Sequence, residues 1–340
     1  MIANTFALTF ALLSVAHALK LHAEPNLKKI KIAAAQVKPA YLDRAGTTGI
    51  IVDWIDRAGK QNVTVLGFPE AFLPGYPSWF SYHPVDSNLA YDLHLKLFEN
   101  AISVPGPETE LIGEACRKAG IYAVIGCSEK RENTTGTMWN TQLVFGPSGD
   151  ILLKHQKYVP TTMERLPHMP GTTGSQAAIQ TDFGGLSTLI CGENSNPLAA
   201  YNLVATDSPT VHVASWPTHF AGGWSLYNCT LIASKALAYT MKAFVINACA
   251  VIGDDAIDAW QPPDDERKLI AEERKLGLST IIDPMGEVIA GPAEAGETLL
   301  VADVDLTETV VAKYTHDFGG HYNRPDIFAH LFTEYFSKDT

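Results

Sequence analysis

The chain has 340 residues, of which 46% are hydrophobic, enough to bury a large core, and an α/β chain of this length can fold as one domain. A formal net charge of −12 and a pI near 5.3 supply no basic footprint for nucleic acid or anionic lipid. Neither a GxxxxGK[ST] loop nor a GxGxxG fingerprint occurs, so small neutral substrates fit better than phosphorylated ones.

Residues 1–18, MIANTFALTFALLSVAHA, have a short apolar core through Leu13, with Ala16 and Ala18 around His17 in an A-x-A arrangement. The stretch reads as a secretory signal cleaved near Leu19, although no basic residue precedes the core, and it is short for a membrane span. Secretion is the expectation, with cytoplasmic residence as the alternative. KIKIAAAQV, residues 29–37, predicts a first strand, and GIIVDWIDRA, residues 49–58, a helix with Ile50, Ile51, Trp54 and Ile55 at helical spacing. TVLGF is a second strand that runs into Glu70. Residues 78–100 read as a loop and helix over the site, and ETELIGEACRKAG as an amphipathic helix ending at Gly120. YAVIGCSEK is a strand. TQLVFGPSGDILLKHQK is a hairpin turned at Pro147–Asp150 that ends at Lys157, with Glu164 seven residues on.

The second half repeats the plan. FGGLSTLIC predicts a buried strand that stops at Cys191 before the turn residues Gly192, Glu193 and Asn194. NPLAAYNLVATD is a helix, TVHVASW a strand, and residues 224–242 a helix with Trp224, Tyr227 and Leu231 on one face. AFVINACAVIG and a hairpin around Asp283–Gly286 continue the sheet, and ETLLVADVDL is the last strand. The charged run at residues 264–275 reads as a solvated loop or helix. Strands alternating with helices predict an α/β fold with two sheets covered by helices.

Glu70, Lys157 and Cys191 all fall at strand ends, where the reacting groups of open α/β sheets gather. A thiol of ordinary pKa near ~8.5 is mostly protonated at neutral pH and needs a base, for which Glu70 serves. Lys157 supplies positive charge beside the anionic atom of a tetrahedral intermediate, where a water-poor site makes it most effective. Glu164 is a second carboxylate, suited to orient Lys157 or to hold the hydrolytic water. Taken singly, each residue also has a structural reading: a buried thiol, a carboxylate at a helix start, a surface ion pair.

The strings FPEAFLPGYP around Glu70, KYVPTTMER around Lys157, CGENSNPL around Cys191, VASWP at 213–217 and GGHYNRPDIF near the C-terminus occur in one order. In that order they resemble the nitrilase branch of the carbon-nitrogen hydrolase superfamily, and the resemblance spans about residues 28–330. It implies a four-layer α-β-β-α sandwich over 28–313, with Glu70, Lys157 and Cys191 as the catalytic set and Glu164 as the additional acidic residue. No metal or organic cofactor follows from it. It implies nitrile hydrolysis to acid and ammonia, with some amide as a side branch; cyanide hydration to formamide and aliphatic amide hydrolysis are the alternatives. Tyr76, His168, Gly192, Trp216 and Trp224 are the pocket-wall candidates. CGEN, where many relatives resemble CWEN, looks more like fungal nitrilases acting on aryl or arylaliphatic nitriles; Gly192 either opens space for such groups or only serves the turn. Relatives of this kind form dimers or larger spirals, so a homo-oligomer is expected.

The segment 314–340 is rich in aromatics and should pack on the core or on a neighbour; His321, Arg324 and Asp326 read as structural or interfacial. The five cysteines show neither a CxxC pair nor metal-ligand spacing, and all but Cys191 read as buried thiols. Of the sequons at Asn62, Asn133 and Asn228, only Asn133 is expected on an exposed loop.

Overall fold

The computed structural model describes residues 26–221 and 226–337, so the signal-like segment 1–18 and Trp224 lie outside the described residues. The first half contains β1 (Lys29–Gln36), α1 (Arg44–Lys60), β2 (Val65–Gly67), α2 (Asn88–Asn100), α3 (Pro107–Ala119), β3 (Tyr122–Lys130), β4 (Met138–Phe145) and β5 (Ile151–Gln156). The second contains β6 (Ala178–Thr181), β7 (Gly184–Ile190), α4 (Pro197–Thr206), β8 (Pro209–Ser215), α5 (Leu226–Met241), β9 (Phe244–Ala248), α6 (Asp254–Trp260) and α7 (Asp264–Glu273). They are followed by β10 (Thr280–Ile282), β11 (Val288–Ala290), β12 (Thr298–Asp305), α8 (Thr307–Lys313) and α9 (Ala329–Ser337).

Two six-stranded sheets result, in the orders β12-β1-β2-β3-β4-β5 and β11-β10-β9-β8-β7-β6. In each, a parallel centre (β1-β2-β3, β7-β8-β9) has antiparallel flanks. The alternation of side chains along a strand builds the layers. From β1, Ile30, Ile32 and Ala34 join Val124 of β3, Val211 and Val213 of β8 and Phe244 and Ile246 of β9 between the sheets. Ala33 and Ala35 point the other way, onto Ile51, Trp54, Ile55 and Ala58 of α1 and Ile112 and Cys116 of α3. On the far side Leu189, Ala214 and Val245 pack under Leu203 of α4 and Leu237 and Met241 of α5. The architecture is therefore the expected four-layer α-β-β-α sandwich. At Gly67 of β2 the sheets approach closely, for a methyl group there would stand 2.7 Å from Val213 Cγ1.

Several elements differ from their sequence reading. The first helix begins at Arg44, because Asp43 caps it by accepting from Gly46 N; the poor helix formers Gly46, Thr47, Thr48 and Gly49 hid that turn. The inward face of α5 is carried by Leu226, Thr230, Ser234, Leu237, Ala238 and Met241, with Tyr227 and Leu231 only half-buried at its side. The charged run is the helix α7, and it is not wholly solvated, since Ile270 and Glu273 are buried. Cys229 is exposed, whereas Cys116, Cys127, Cys191 and Cys249 are buried, all as free thiols. Asn62 and Asn228 are exposed as well as Asn133. Beyond residue 313, Phe318 packs against the outer layer of the second sheet, and His316 and Tyr322 gather round it. Tyr314, Phe328, Leu331 and Phe332 remain exposed.

Candidate active site

Glu70 lies three residues past β2 and Lys157 immediately past β5, both in the first sheet, whereas Cys191 lies immediately past β7 in the second. The two halves are stitched together at this point: Glu70 N donates to Trp216 O at 3.0 Å, just beyond β8, and Trp216 N donates to Ala248 O of β9. Gly126 of β3 makes room for the Glu70 turn, since a methyl group there would meet Pro69 O and would stand 2.7 Å from Ala71 N. Cys191 has φ +51°, Ala71 next to Glu70 has φ +43°, and Thr162 just before Glu164 has φ +47°. Left-handed backbone at non-glycine residues costs about 1–3 kcal/mol each and persists only where the surroundings enforce it. At these three positions it marks the turns that aim the side chains of the site.

The side chains converge in a buried network. Lys157 Nζ donates to Glu70 Oε1 and to Glu164 Oε2, both at 2.7 Å. Asn140, on β4, uses its single amide nitrogen in the same way, donating to Glu70 Oε1 at 2.7 Å and Glu164 Oε1 at 2.8 Å. Its backbone carbonyl also accepts from Lys157 N at 2.8 Å. The two carboxylates then part company. Glu164 further receives Thr161 N at 3.0 Å and Tyr76 Oη at 3.3 Å, with His168 Nδ1 at 3.3 Å. Among the described residues Glu70 receives nothing more, and its Oε2 is buried without a partner there.

That asymmetry separates two like groups electrostatically. Burial raises the Glu70 carboxyl to about 7, with the neighbouring Glu164 charge reinforcing and Lys157 opposing the shift. Burial acts upward on Glu164 too, but Lys157 and His168 outweigh it and hold that carboxyl well below the usual range. Burial pushes the Lys157 ammonium down, but Glu164 and Glu70 outweigh it and raise it well above the ordinary lysine value, so it stays charged. Burial and the Glu70 charge push the Cys191 thiol up, against Lys157 and the Gly192 N–H, so the sulfur carries its proton at neutral pH. The site can thus hold a protonated thiol beside an ammonium, a fixed carboxylate and a second carboxylate able to gain or lose a proton near neutrality.

The pocket candidates are distributed unevenly around this centre. Trp216 shares an apolar cluster with Cys191, and the half-buried Tyr158, Phe220 and Tyr227 pack against that cluster. Tyr76 is fully buried against Ala71 and Phe80 and is tied to Glu164. His168 has both ring nitrogens engaged, by Glu164 and by Ser128 Oγ at 3.2 Å. Gly192 is exposed, and a methyl group added there would meet nothing within 4 Å among the described residues. Positive φ belongs to Cys191 and not to Gly192, so the turn does not require a glycine at 192. The sequence pattern starts this strand at Thr141, whereas it begins at Met138 and so includes Asn140. Thr141 and Gln142 beside it are polar and equally buried, so no local signal separates Asn140 from its neighbours. Among the described residues no group of three or more His, Cys, Asp or Glu side chains is arranged to hold a metal ion.

The family model for carbon-nitrogen hydrolases matches residues 31–314. A protein called nitrilase 3, from an unknown prokaryotic organism, is 33% identical over 312 residues, covering 89% of this chain and 90% of that protein. A cyanide hydratase of Aspergillus niger is 33% identical over 316 residues, covering 89% of this chain and 86% of its own. Among solved structures, a carbon-nitrogen hydrolase from Helicobacter pylori superimposes with a TM-score of 0.67 at 18% identity, over 89% of this chain and 98% of that one.

Proposed function

The chain belongs to the carbon-nitrogen hydrolase family, in its nitrilase branch, and from that premise we propose that it hydrolyses an organic nitrile to the carboxylic acid and ammonia. The observation that carries this reading is the unequal treatment of the two carboxylates, which leaves Glu70 Oε2 free beside a protonated thiol while Glu164 is fixed by five donors. Cys191 Sγ attacks the nitrile carbon as Glu70 takes the thiol proton and passes it to the nitrile nitrogen, giving a thioimidate. A first water adds to the C=N carbon, its proton moving through Glu70 to nitrogen. The C–N bond of the tetrahedral adduct then breaks, its hydroxyl proton leaves with nitrogen as ammonia, and a thioester remains. A second water releases the acid and restores the thiol. Lys157 holds the developing negative charge throughout, and Glu164 holds Lys157. Collapse of the tetrahedral adduct with loss of the sulfur instead of ammonia yields the amide as a side product.

Gly192 and the aromatic side chains around Trp216 favour aryl or arylalkyl nitriles, because a tryptophan at position 192 would occupy space that is open here. The similarity to a cyanide hydratase supports a second reading in which cyanide is hydrated to formamide. The enzyme works as a homo-oligomer, a dimer or a larger spiral: the groove between α4 and α5, lined by Tyr201, Ile232 and Ala236 and closed by Phe318, is the kind of apolar surface a second copy would cover. Ammonia release from matched aliphatic, aromatic and arylaceto nitriles and their amides, run with wild type and Cys191→Ala, tests the proposal. Loss of nitrile-dependent ammonia in Cys191→Ala is expected. Formamide from cyanide as the main product would favour the second reading, and a preference for amides would identify an amidase.

A further inference from the structure

Glu193 stands two residues past Cys191 with its side chain buried, and its two oxygens accept hydrogen bonds from both halves of the molecule. Oε1 accepts from Tyr158 N at 2.6 Å, and Oε2 accepts from Ile190 N at 2.9 Å and faces His155 Nε2 at 2.8 Å. Ile190 immediately precedes Cys191. Tyr158 immediately follows Lys157, and His155 precedes Lys157 by two residues, which places both side chains on one face of the chain leaving β5. A single carboxylate therefore grips the backbone ahead of the nucleophile and the chain on both sides of the ammonium. The neighbouring Asn194 acts differently: its amide donates to Leu189 O and Cys191 O, and its carbonyl faces His212 Nε2, so these bonds tie the Cys191 turn to the second sheet. Glu193 alone of the two spans from one sheet to the other.

We infer that Glu193, held by His155, is a positioning residue that fixes the Lys157 ammonium relative to the Cys191 sulfur, an inference that rests on the nitrile-hydrolysing role proposed for this site. The geometry leaves no tolerant substitution. Both carboxylate oxygens face N–H donors, so the isosteric amide in Glu193→Gln must turn its NH2 group toward either Tyr158 N or Ile190 N, donor against donor. One of the two strand ends is then released from the other. Misplacement of reacting groups by about 1 Å costs on the order of 100-fold in rate, and substrate binding need not change.

The test uses the full chain as wild type, Glu193→Gln and His155→Leu, with active sites counted by iodoacetamide labelling and Cys191→Ala subtracted to correct for the exposed Cys229. For Glu193→Gln, kcat per titrated site is expected to fall roughly 100-fold with KM within about twofold; His155→Leu, which removes one of three donors, should fall about tenfold. A merely structural role would lower the number of titratable sites and leave kcat per site unchanged, and that result overturns the inference, as does a rise in KM at constant kcat. Should Glu193→Gln not fold, the same criteria apply to His155→Leu. Should wild type release no ammonia from any nitrile, the reading of the site fails separately. The rate constant for alkylation of Cys191 then decides the positioning role, with about a tenfold drop expected and an unchanged rate overturning it.

Discussion

At Glu70, the same burial that makes the carboxylate a usable base sets the pH at which it works. In the proposed reaction Glu70 must be ionised to accept the Cys191 proton, and its carboxyl stands at about 7. Falling pH protonates it, so kcat/KM is expected to drop as pH falls through about 7 and to level off above, with Glu70→Gln reduced by roughly 10²–10⁴-fold. The Asn140 amide holds the Glu70 carboxyl down. Asn140→Leu removes that donor, so the acid limb should move to higher pH; a limb that stays in place would separate Glu70 from the proton transfer. Gly192 sets a different quantity. With open space at its α-carbon, Gly192→Trp is expected to fold normally and to lose activity on phenylacetonitrile-like substrates selectively. Relative rates on large and small nitriles, measured side by side, check this, and equal losses on both would show that residue 192 does not limit substrate size.

Among elements, the strands that deliver the site were the most legible. Their alternation separates Ile30, Ile32 and Ala34 from Ala33 and Ala35, and each of β2, β5 and β7 ends shortly before a side chain of the candidate site. What stayed hidden depends on contacts between residues far apart in the chain. Nothing local distinguishes Asn140 from any polar strand residue, Glu193 from a turn glutamate, or Glu273 from its charged neighbours, yet Glu273 is buried with its Oε2 2.6 Å from His219 Nδ1. The 3-residue β2 shows how little strand is needed when tertiary packing supports it: it lies between β1 and β3 with Gly67 under the second sheet. Gly126 supports the Glu70 turn from below in the same manner. Gly126→Ala is expected to lower stability by about 1–3 kcal/mol through overpacking. Its activity loss should exceed that stability loss, because the displaced atoms belong to the turn that carries Glu70. Urea unfolding combined with kcat per titrated site would show the excess, and proportionate losses would argue that the turn moves as one with the sheet.

For the molecule as a whole, the exposed apolar groove between α4 and α5 and the aromatic residues after 313 give the oligomer proposal a specific test. Ile232→Glu, at a position 69% exposed in the single chain, should not disturb the fold but should shift the sedimentation coefficient toward that of a monomer. An unaltered distribution would place any subunit contact on a different face. The connectivity carries one more implication. The strand that covers β1 on its outer side is β12, paired from Lys29↔Asp305 to Gln36↔Thr298, so among the described residues the first strand to be synthesised is flanked on that side by the last. Such a long-range pairing is slow to close, and until it does β1 offers a bare hydrogen-bonding rim to other nascent copies. Overproduction in a heterologous host should therefore be limited by co-translational aggregation, and chaperone supply or slower synthesis should raise soluble yield without altering the specific activity of what is recovered.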